Sequence, residues 1–420
     1  MSYRITRLHA RQALDSRGDP TVAVEITLDG GARAAAMVPS GASTGAHEAV
    51  ELRDGPGGAY AGRSVWRAVA SVNTEIAAVV AGFDARDQER LDRAMIELDG
   101  TPNKGRLGAN ALLGVSMAAA RAAAAASEVP LWQYLAGNRR ATVPLPMINI
   151  ISGGLHAGRN LDFQDFLVVP HGFPSFAAAL EAAVRIHRQT ATLLAAAGHR
   201  YLGAADEGGF GPPLGSNLAA VDLLARAIEA AGFAPGREVS IAIDVAATHF
   251  YDNGIYRLSR EGRELTAAEM TQMLEEWLGS YPVVSLEDPL AEDDWSGWRE
   301  LTSRLAARRP APLLIGDDLF VTNVARLDRG IREKVANAVL VKTNQIGTLT
   351  ETVQVIDRAR EAGYVAVISA RSGETEDSFL ADLAVASGAG WIKVGSVTRS
   401  ERLAKYNRLL AIEEAEGPRF

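Results

Sequence analysis

The chain has 420 residues, 47% hydrophobic and 22% charged, with a formal net charge of -8. That length exceeds one ordinary domain, and the balance is that of a globular protein with ample core. The acidic excess argues against nucleic acid or an anionic membrane surface as main partner, and the absence of cysteine excludes disulfides, thiol nucleophiles and Cys-ligated metal.

In chain order, residues 1–7 carry no apolar signal core, so a cytoplasmic location is expected. Thr21 to Leu28 alternates apolar and polar residues, the period of a half-buried strand. Leu107 to Ala126 is Ala- and Leu-rich without proline and predicts a long helix. Arg121 and Glu128 break this stretch, so no membrane span is expected. Pro130, Pro144 and Pro146 punctuate the next stretch, and the domain boundary is expected within 133–143, dividing the chain into 1–135 and 140–420.

Beyond the boundary short apolar runs recur, each leading to a chemically capable residue and then to helical sequence. Val239–Ile243 leads to Asp244, Pro282–Leu286 to Glu287, and Pro312–Ile315 to Asp317; Ala338–Val341 leads to Lys342, Tyr364–Ser369 to Arg371, and Gly390–Ile392 to Lys393. By subtraction these residues stand 43, 30, 25, 29 and 22 positions apart. That is about one strand-plus-helix unit each, the repeat of an α/β protein built on a β/α barrel, whose active sites lie at the C-terminal strand ends. A doubly wound sheet would want a glycine-rich first βα turn, and none follows a convincing strand.

Asp244, Glu287 and Asp317 are three oxygen donors at matching strand ends with no His or Cys nearby, which suits Mg²⁺ before Zn²⁺. The tandem acids Glu287-Asp288 and Asp317-Asp318 leave open which member ligates. Lys342, desolvated beside a divalent cation, is expected to have a lowered pKa and to serve as general base. Glu207 sits in Ala205–Phe210, where glycines permit close approach of a ligand. Arg371-Ser372 offers a guanidinium fork and a hydroxyl suited to a phosphoryl group. Ser40–Gly45 is a small hydroxyl-rich loop able to close over a ligand, and His156 is one of seven histidines.

The chain resembles enolases over nearly its whole length. The resemblance is carried by Asp15–Val22, Ser40–Gly45 and Leu107–Ala111 in the first part, and by Asp206–Phe210, Ser285–Asp288 and Gly316–Asn323 in the second. Its most specific segments are Val341–Thr348 and Arg371–Asp377. The resemblance implies an N-terminal α+β cap domain followed by a variant β/α barrel, and dehydration of a small phosphorus-bearing hydroxy acid. It implies that Asp244, Glu287 and Asp317 hold one Mg²⁺ and that Ser43 helps a second. It makes Lys342 the base and Glu207 the acid, adds His156 and Asp165 to the catalytic set, and assigns Gln164, Arg371, Ser372 and Lys393 to substrate binding. A homodimer or higher homo-oligomer is expected, with no nucleic acid and no membrane.

Four positions depart from the family pattern: Ala370 where enolases carry His, Val394 for Thr, Asp165 for Glu on the first barrel strand, and Ser152 for Asn. All are expected beside ligand-facing positions while the acid, base and acidic triad are kept. The leaning is therefore to 2-phosphonoformylglycerate as substrate, giving carboxyphosphonoenolpyruvate, with 2-phosphoglycerate as the alternative. Acid-sugar dehydratases and racemases share the barrel but not the Ser40–Gly45 loop or the Arg371 segment. A non-catalytic scaffold role is disfavoured by the intact acid, base and metal set.

Overall fold

The computed structural model describes residues 2–42, 44–199, 203–415 and 420. Strands β1 (Ile5–Leu14), β2 (Pro20–Leu28) and β3 (Arg33–Met37) form an antiparallel sheet. β2 is the strand expected over 21–28, but Pro20 to Val24 are all buried rather than alternating. The cause is the helix Ala109–Ala126, which packs on β2 and β3 and covers the face left open in a half-buried strand. Its small residues let it approach closely: a Cβ at Gly114 would stand 2.6 Å from a methyl of Val24. Among the described residues this is the one helix long and apolar enough to cross a membrane, and 89% of it is buried inside the protein, the signature of a core helix.

The second part closes into a barrel. Its strands are β4 (Leu145–Ser152), β5 (Asp165–Val169), β6 (Ser240–Asp244), β10 (Val283–Glu287), β11 (Leu313–Gly316), β12 (Ala338–Val341), β13 (Val365–Ser369) and β14 (Trp391–Gly395), in that order around the ring. Strands β7 (Tyr251–Asp252), β8 (Ile255–Leu258) and β9 (Arg263–Leu265) form a small sheet in the connection after β6. Met147, Leu167, Val169, Ala242, Ile315, Ala338, Leu340 and Val367 fill the barrel interior. Side-chain caps start several of the outer helices, among them Thr266, which forms a full capping box with Glu269.

Two placements differ from the simple strand-end repeat. β5 runs antiparallel to both β4 and β6, so its first residue, not its last, lies at the C-terminal mouth: Asp165 pairs in register with Ser152 and with Asp244. Asp165 therefore belongs to the second barrel strand rather than the first. Lys393 is the third residue of β14, level with Ser369 and Met147, and only its long side chain carries the charge to the mouth.

Candidate active site

Asp244 and Glu287 end neighbouring parallel strands and pair in register. Asp317 follows β11 directly, and all three carboxylates are buried. The Lys393 ammonium stands between the first two, 2.7 Å from Asp244 Oδ2 and 2.9 and 2.8 Å from the two oxygens of Glu287. Lys342 Nζ lies 2.5 Å from Asp317 Oδ2, and Gln345 Nε2 donates to Asp317 Oδ1 at 2.8 Å. Burial and repulsion from Asp244 push Glu287 well above the ordinary carboxylate range despite Lys393. This cluster still has more negative charge than it can hold comfortably, and its donors are all oxygen. Both properties fit a hard divalent cation.

The tandem acids divide their work. Asp288 accepts from the backbone N–H of Asp317 at 2.9 Å and of Asp318 at 2.7 Å, so it is spent on shaping the next strand end. Glu287 instead turns both of its oxygens to Lys393. Among the described residues, the sets of three ligand-type atoms within 4.8 Å of one another are Asp288–Asp317–Asp318 and His156–Asp165–Glu207; the three strand-end acids, which bind the two lysines, are not such a set. The lowering expected for Lys342 is not found. Burial disfavours its charge, but Asp317 outweighs burial and holds the pKa above the ordinary lysine value.

A second buried group lies on the neighbouring strands β4 and β5 and the segments that follow them. His156 Nδ1 is 2.8 Å from Asp165 Oδ2, while Asp165 Oδ1 accepts from Ser152 Oγ at 2.9 Å and from Asn149 Nδ2 at 2.5 Å. Burial alone would depress His156, yet the paired Asp165 raises its pKa to about 8. Burial raises Asp165 itself. Glu207 is lowered: burial works against its charge, but His156, Arg402, Lys393 and Lys342 together prevail. Its Oε2 and the Oε1 of Gln164 are buried without a protein partner, so both are aimed at a ligand's position. Gln164 Nε2 donates to Asp244 at 3.2 Å, which ties the two halves of the site together.

Arg371 is buried and reaches Glu48 through both terminal nitrogens, at 2.9 and 3.2 Å, and Asn344 at 3.0 Å. Ser372 Oγ accepts from the backbone N–H of Ala42 at 2.8 Å, so the loop containing Ser40 already rests against the barrel mouth. Ser40 and Gly373 exchange backbone hydrogen bonds of 2.7 and 2.9 Å. A Cβ on Gly373 would fall 2.5 Å from Asp15 Oδ2 and 2.6 Å from Ser40 Oγ, so only glycine lets the loop seat there. Gly373→Ala is expected to cost about 1–3 kcal/mol in stability and to raise KM more than it lowers kcat, measured by thermal melts and steady-state kinetics. Ser43, assigned to a second cation, lies outside the described residues.

Sequence reasoning did not single out Glu48, Asn149 or Arg402, and it left Asp288 as an alternative ligand to Glu287. Arg402 is fully buried and donates to the backbone carbonyls of Arg371, Ser372, Val394 and Asp206, fixing the backbone at Arg371 and Ser372. Its only signal in sequence is an Arg inside an otherwise ordinary helix, Ser400–Glu414.

Two family models match: "Enolase, N-terminal domain" over residues 5–135 and "Enolase, C-terminal TIM barrel domain" over residues 140–419. The chain is 52% identical over 420 residues to Enolase 2 of Pseudomonas syringae pv. tomato, covering 100% of this chain and 97% of the relative. It is 55% identical over 410 residues to the enolase of Acidothermus cellulolyticus, covering 98% and 94%. With both halves matched, and an acid-lined barrel mouth bearing two buried lysines, the chain belongs to the enolase family and is a hydro-lyase of that Mg²⁺-dependent type.

Proposed function

We propose that the protein dehydrates 2-phosphoglycerate to phosphoenolpyruvate, with Lys342 as base and Glu207 as acid. The observation that carries this reading is the pairing of two buried groups at one barrel mouth: the lysines among three carboxylates, and His156–Asp165–Glu207. The names of the two relatives support the substrate.

A proton beside a carboxylate is very weakly acidic because its loss puts a second charge on an already charged group. Asp244, Glu287 and Asp317 would hold one Mg²⁺, which when bound would supply the positive charge that offsets this, and Ser43 is the residue assigned to a second. Lys393 adds its ammonium at the carboxylate end. Lys342 takes the C2 proton: once Asp317 is engaged elsewhere, burial and the charges of Arg371 and Lys393 favour the neutral amine, with Glu287 acting the other way. Glu207 donates to the departing 3-hydroxyl. It is an anion at rest and draws that proton from the contiguous Asp165–His156 pair, whose groups have raised pKa values. Arg371 and Ser372 hold the phosphoryl group, and Gln164 lines the site. Asp244→Asn and Glu287→Gln are each expected to reduce turnover by more than about 10²-fold with the fold retained, read by circular dichroism and by the Mg²⁺ concentration needed for half-maximal rate.

A second reading, a larger 2-substituent such as that of 2-phosphonoformylglycerate, is favoured by Ala370. This residue is buried beside Arg371, its N–H bonds to the Lys393 carbonyl at 2.8 Å, and it offers only a methyl where a ring donor would otherwise stand. Loss of a charge-assisted donor to a buried phosphate oxygen costs about 10- to 150-fold. Comparison of kcat/KM for the two substrates on one preparation tests this. Ala370→His is expected to raise kcat/KM for 2-phosphoglycerate about tenfold or more and to lower that for the analogue. An analogue that outcompetes 2-phosphoglycerate in the native protein would replace the first reading by the second.

The same proposal divides the chain into a cap over 1–135 and a catalytic barrel over 140–420, supported by the limits of the two family models. It also takes the protein to act in the cytoplasm as a homodimer or higher homo-oligomer.

A further inference from the structure

A cavity of about 180 Å³ lies between two connections at the mouth of the barrel. One wall is the segment after β4, residues 153–162, which also carries His156. The other is the segment after β6, including His249 and the β8 end with Arg257 and Arg260. Gly154, which lines the cavity, packs against Gln164: a Cβ there would sit 3.2 Å from Gln164 Cα.

The cavity's charge is unlike that of the protein as a whole. Arg159, Arg257, Arg260 and His249 line it against a single carboxylate, Asp162. Asp162 is already engaged by the Arg260 N–H, at 3.1 and 3.3 Å to its two oxygens. Arg257 is held by Asp252 at 3.1 Å and Glu264 at 3.3 Å. Arg260 uses its Nε on the Arg159 carbonyl, which leaves its two terminal nitrogens for other partners. The Arg159 guanidinium and the His249 ring have no hydrogen-bond or ion-pair partner among the described residues.

The backbone holds Arg159 in place. Gly158 and Arg159 are both left-handed, at φ 63° and 58°, and the Arg159 N–H closes on the Gly154 carbonyl at 2.6 Å. This fixes the direction in which the Arg159 side chain leaves the backbone, while the side chain itself, like those of Arg257 and Arg260, is exposed. The catalytic groups are within electrostatic reach: burial lowers the pKa of His249, and Asp244 and Asp317 act on it against His156 and Arg159.

We propose that this cavity is an oxyanion subsite, built on Arg159, Arg260 and His249, that seats a second acidic group beside the ligand at the barrel mouth. The subsite rests on the enolase-type reading for its neighbour but takes its chemistry from its own residues. The acidic group is a carboxylate or phosphoryl group, supplied either by a larger substrate or as a free anion.

The test uses the whole protein with Mg²⁺, as wild type, Arg159→Asn and His249→Gln. Asparagine tolerates the left-handed backbone, so the first variant removes charge without new strain. Calorimetry gives the affinity for 2-phosphonoformylglycerate, which carries the extra carboxylate, and kinetics give KM for 2-phosphoglycerate and inhibition by inorganic phosphate. The expected result is that Arg159→Asn weakens the analogue about tenfold, His249→Gln less, and KM for 2-phosphoglycerate stays within about twofold. Phosphate inhibition that persists at saturating 2-phosphoglycerate and disappears in Arg159→Asn identifies the free anion as the source instead. If both variants bind the analogue and phosphate as wild type does, the subsite is overturned. If wild type dehydrates neither substrate, the proposed function fails, while the calorimetric comparison still decides the subsite.

Discussion

Lys342→Ala is expected to stop exchange of the substrate's C2 proton with D₂O and to lower dehydration by about 10²–10⁴-fold, the range for loss of a positioned acid or base. The side chain is well placed to act alone. Its backbone N–H is fixed by Thr322 Oγ1 at 2.9 Å, so the ammonium end is aimed by a pinned residue at the close of β12. No second lysine substitutes for it: Lys393 is committed to Asp244 and Glu287. The truncation also leaves Asp317 without its 2.5 Å partner, so some loss of stability accompanies it. Proton NMR of recovered 2-phosphoglycerate reads the exchange, and a thermal melt separates chemistry from unfolding. Wild-type exchange in a folded Lys342→Ala protein would move the base elsewhere.

Glu207→Gln is expected to separate the two halves of the reaction. Dehydration should fall by about 10²–10⁴-fold while C2 exchange remains measurable, because proton removal precedes loss of hydroxide and does not need the acid. The substitution is nearly isosteric. The main chain around it stays fixed by the Ala205–Gly209 and Gly208–Ala205 hydrogen bonds, both 2.9 Å, so a fallen rate reports chemistry. The glutamine removes the acceptor charge that faces His156, and the pKa of His156 should drop from about 8 towards its ordinary value. The basic limb of any residual rate profile would then move to lower pH. If Glu207→Gln dehydrates near the normal rate, the acid is a different group, and Asp165 is next in line.

The legibility of each feature in sequence depends on how locally it is encoded. The barrel was readable because each apolar run is short and ends in the residue that does the work, so Asp244, Glu287 and Lys342 fall at strand ends by count alone. The reversal of β5 was not readable. An antiparallel strand has the same buried apolar run as a parallel one, and only its partners, Ser152 and Asp244, set its direction. The placement of Lys393 inside β14 was missed for a similar reason, since reach depends on side-chain length and not on position in the run. The supporting groups were the least legible. Glu48 lies 323 residues from Arg371, and Asp288 looks like a candidate ligand until its hydrogen bonds to Asp317 and Asp318 are seen. The lysine pKa was misjudged because its largest opposing influence, Asp317 at 2.5 Å, is a contact and not a motif.

Mg²⁺-dependent dehydration at the barrel mouth is open to direct assay. Purified protein is given 2-phosphoglycerate with Mg²⁺, and the ultraviolet absorbance of the enolpyruvate product is followed before and after excess EDTA and then excess Mg²⁺. Steady product formation, loss with the chelator and recovery with the ion are expected. Undiminished turnover in chelator, or no turnover of 2-phosphoglycerate or its phosphonoformyl analogue with Mg²⁺ present, would contradict Mg²⁺-dependent dehydration.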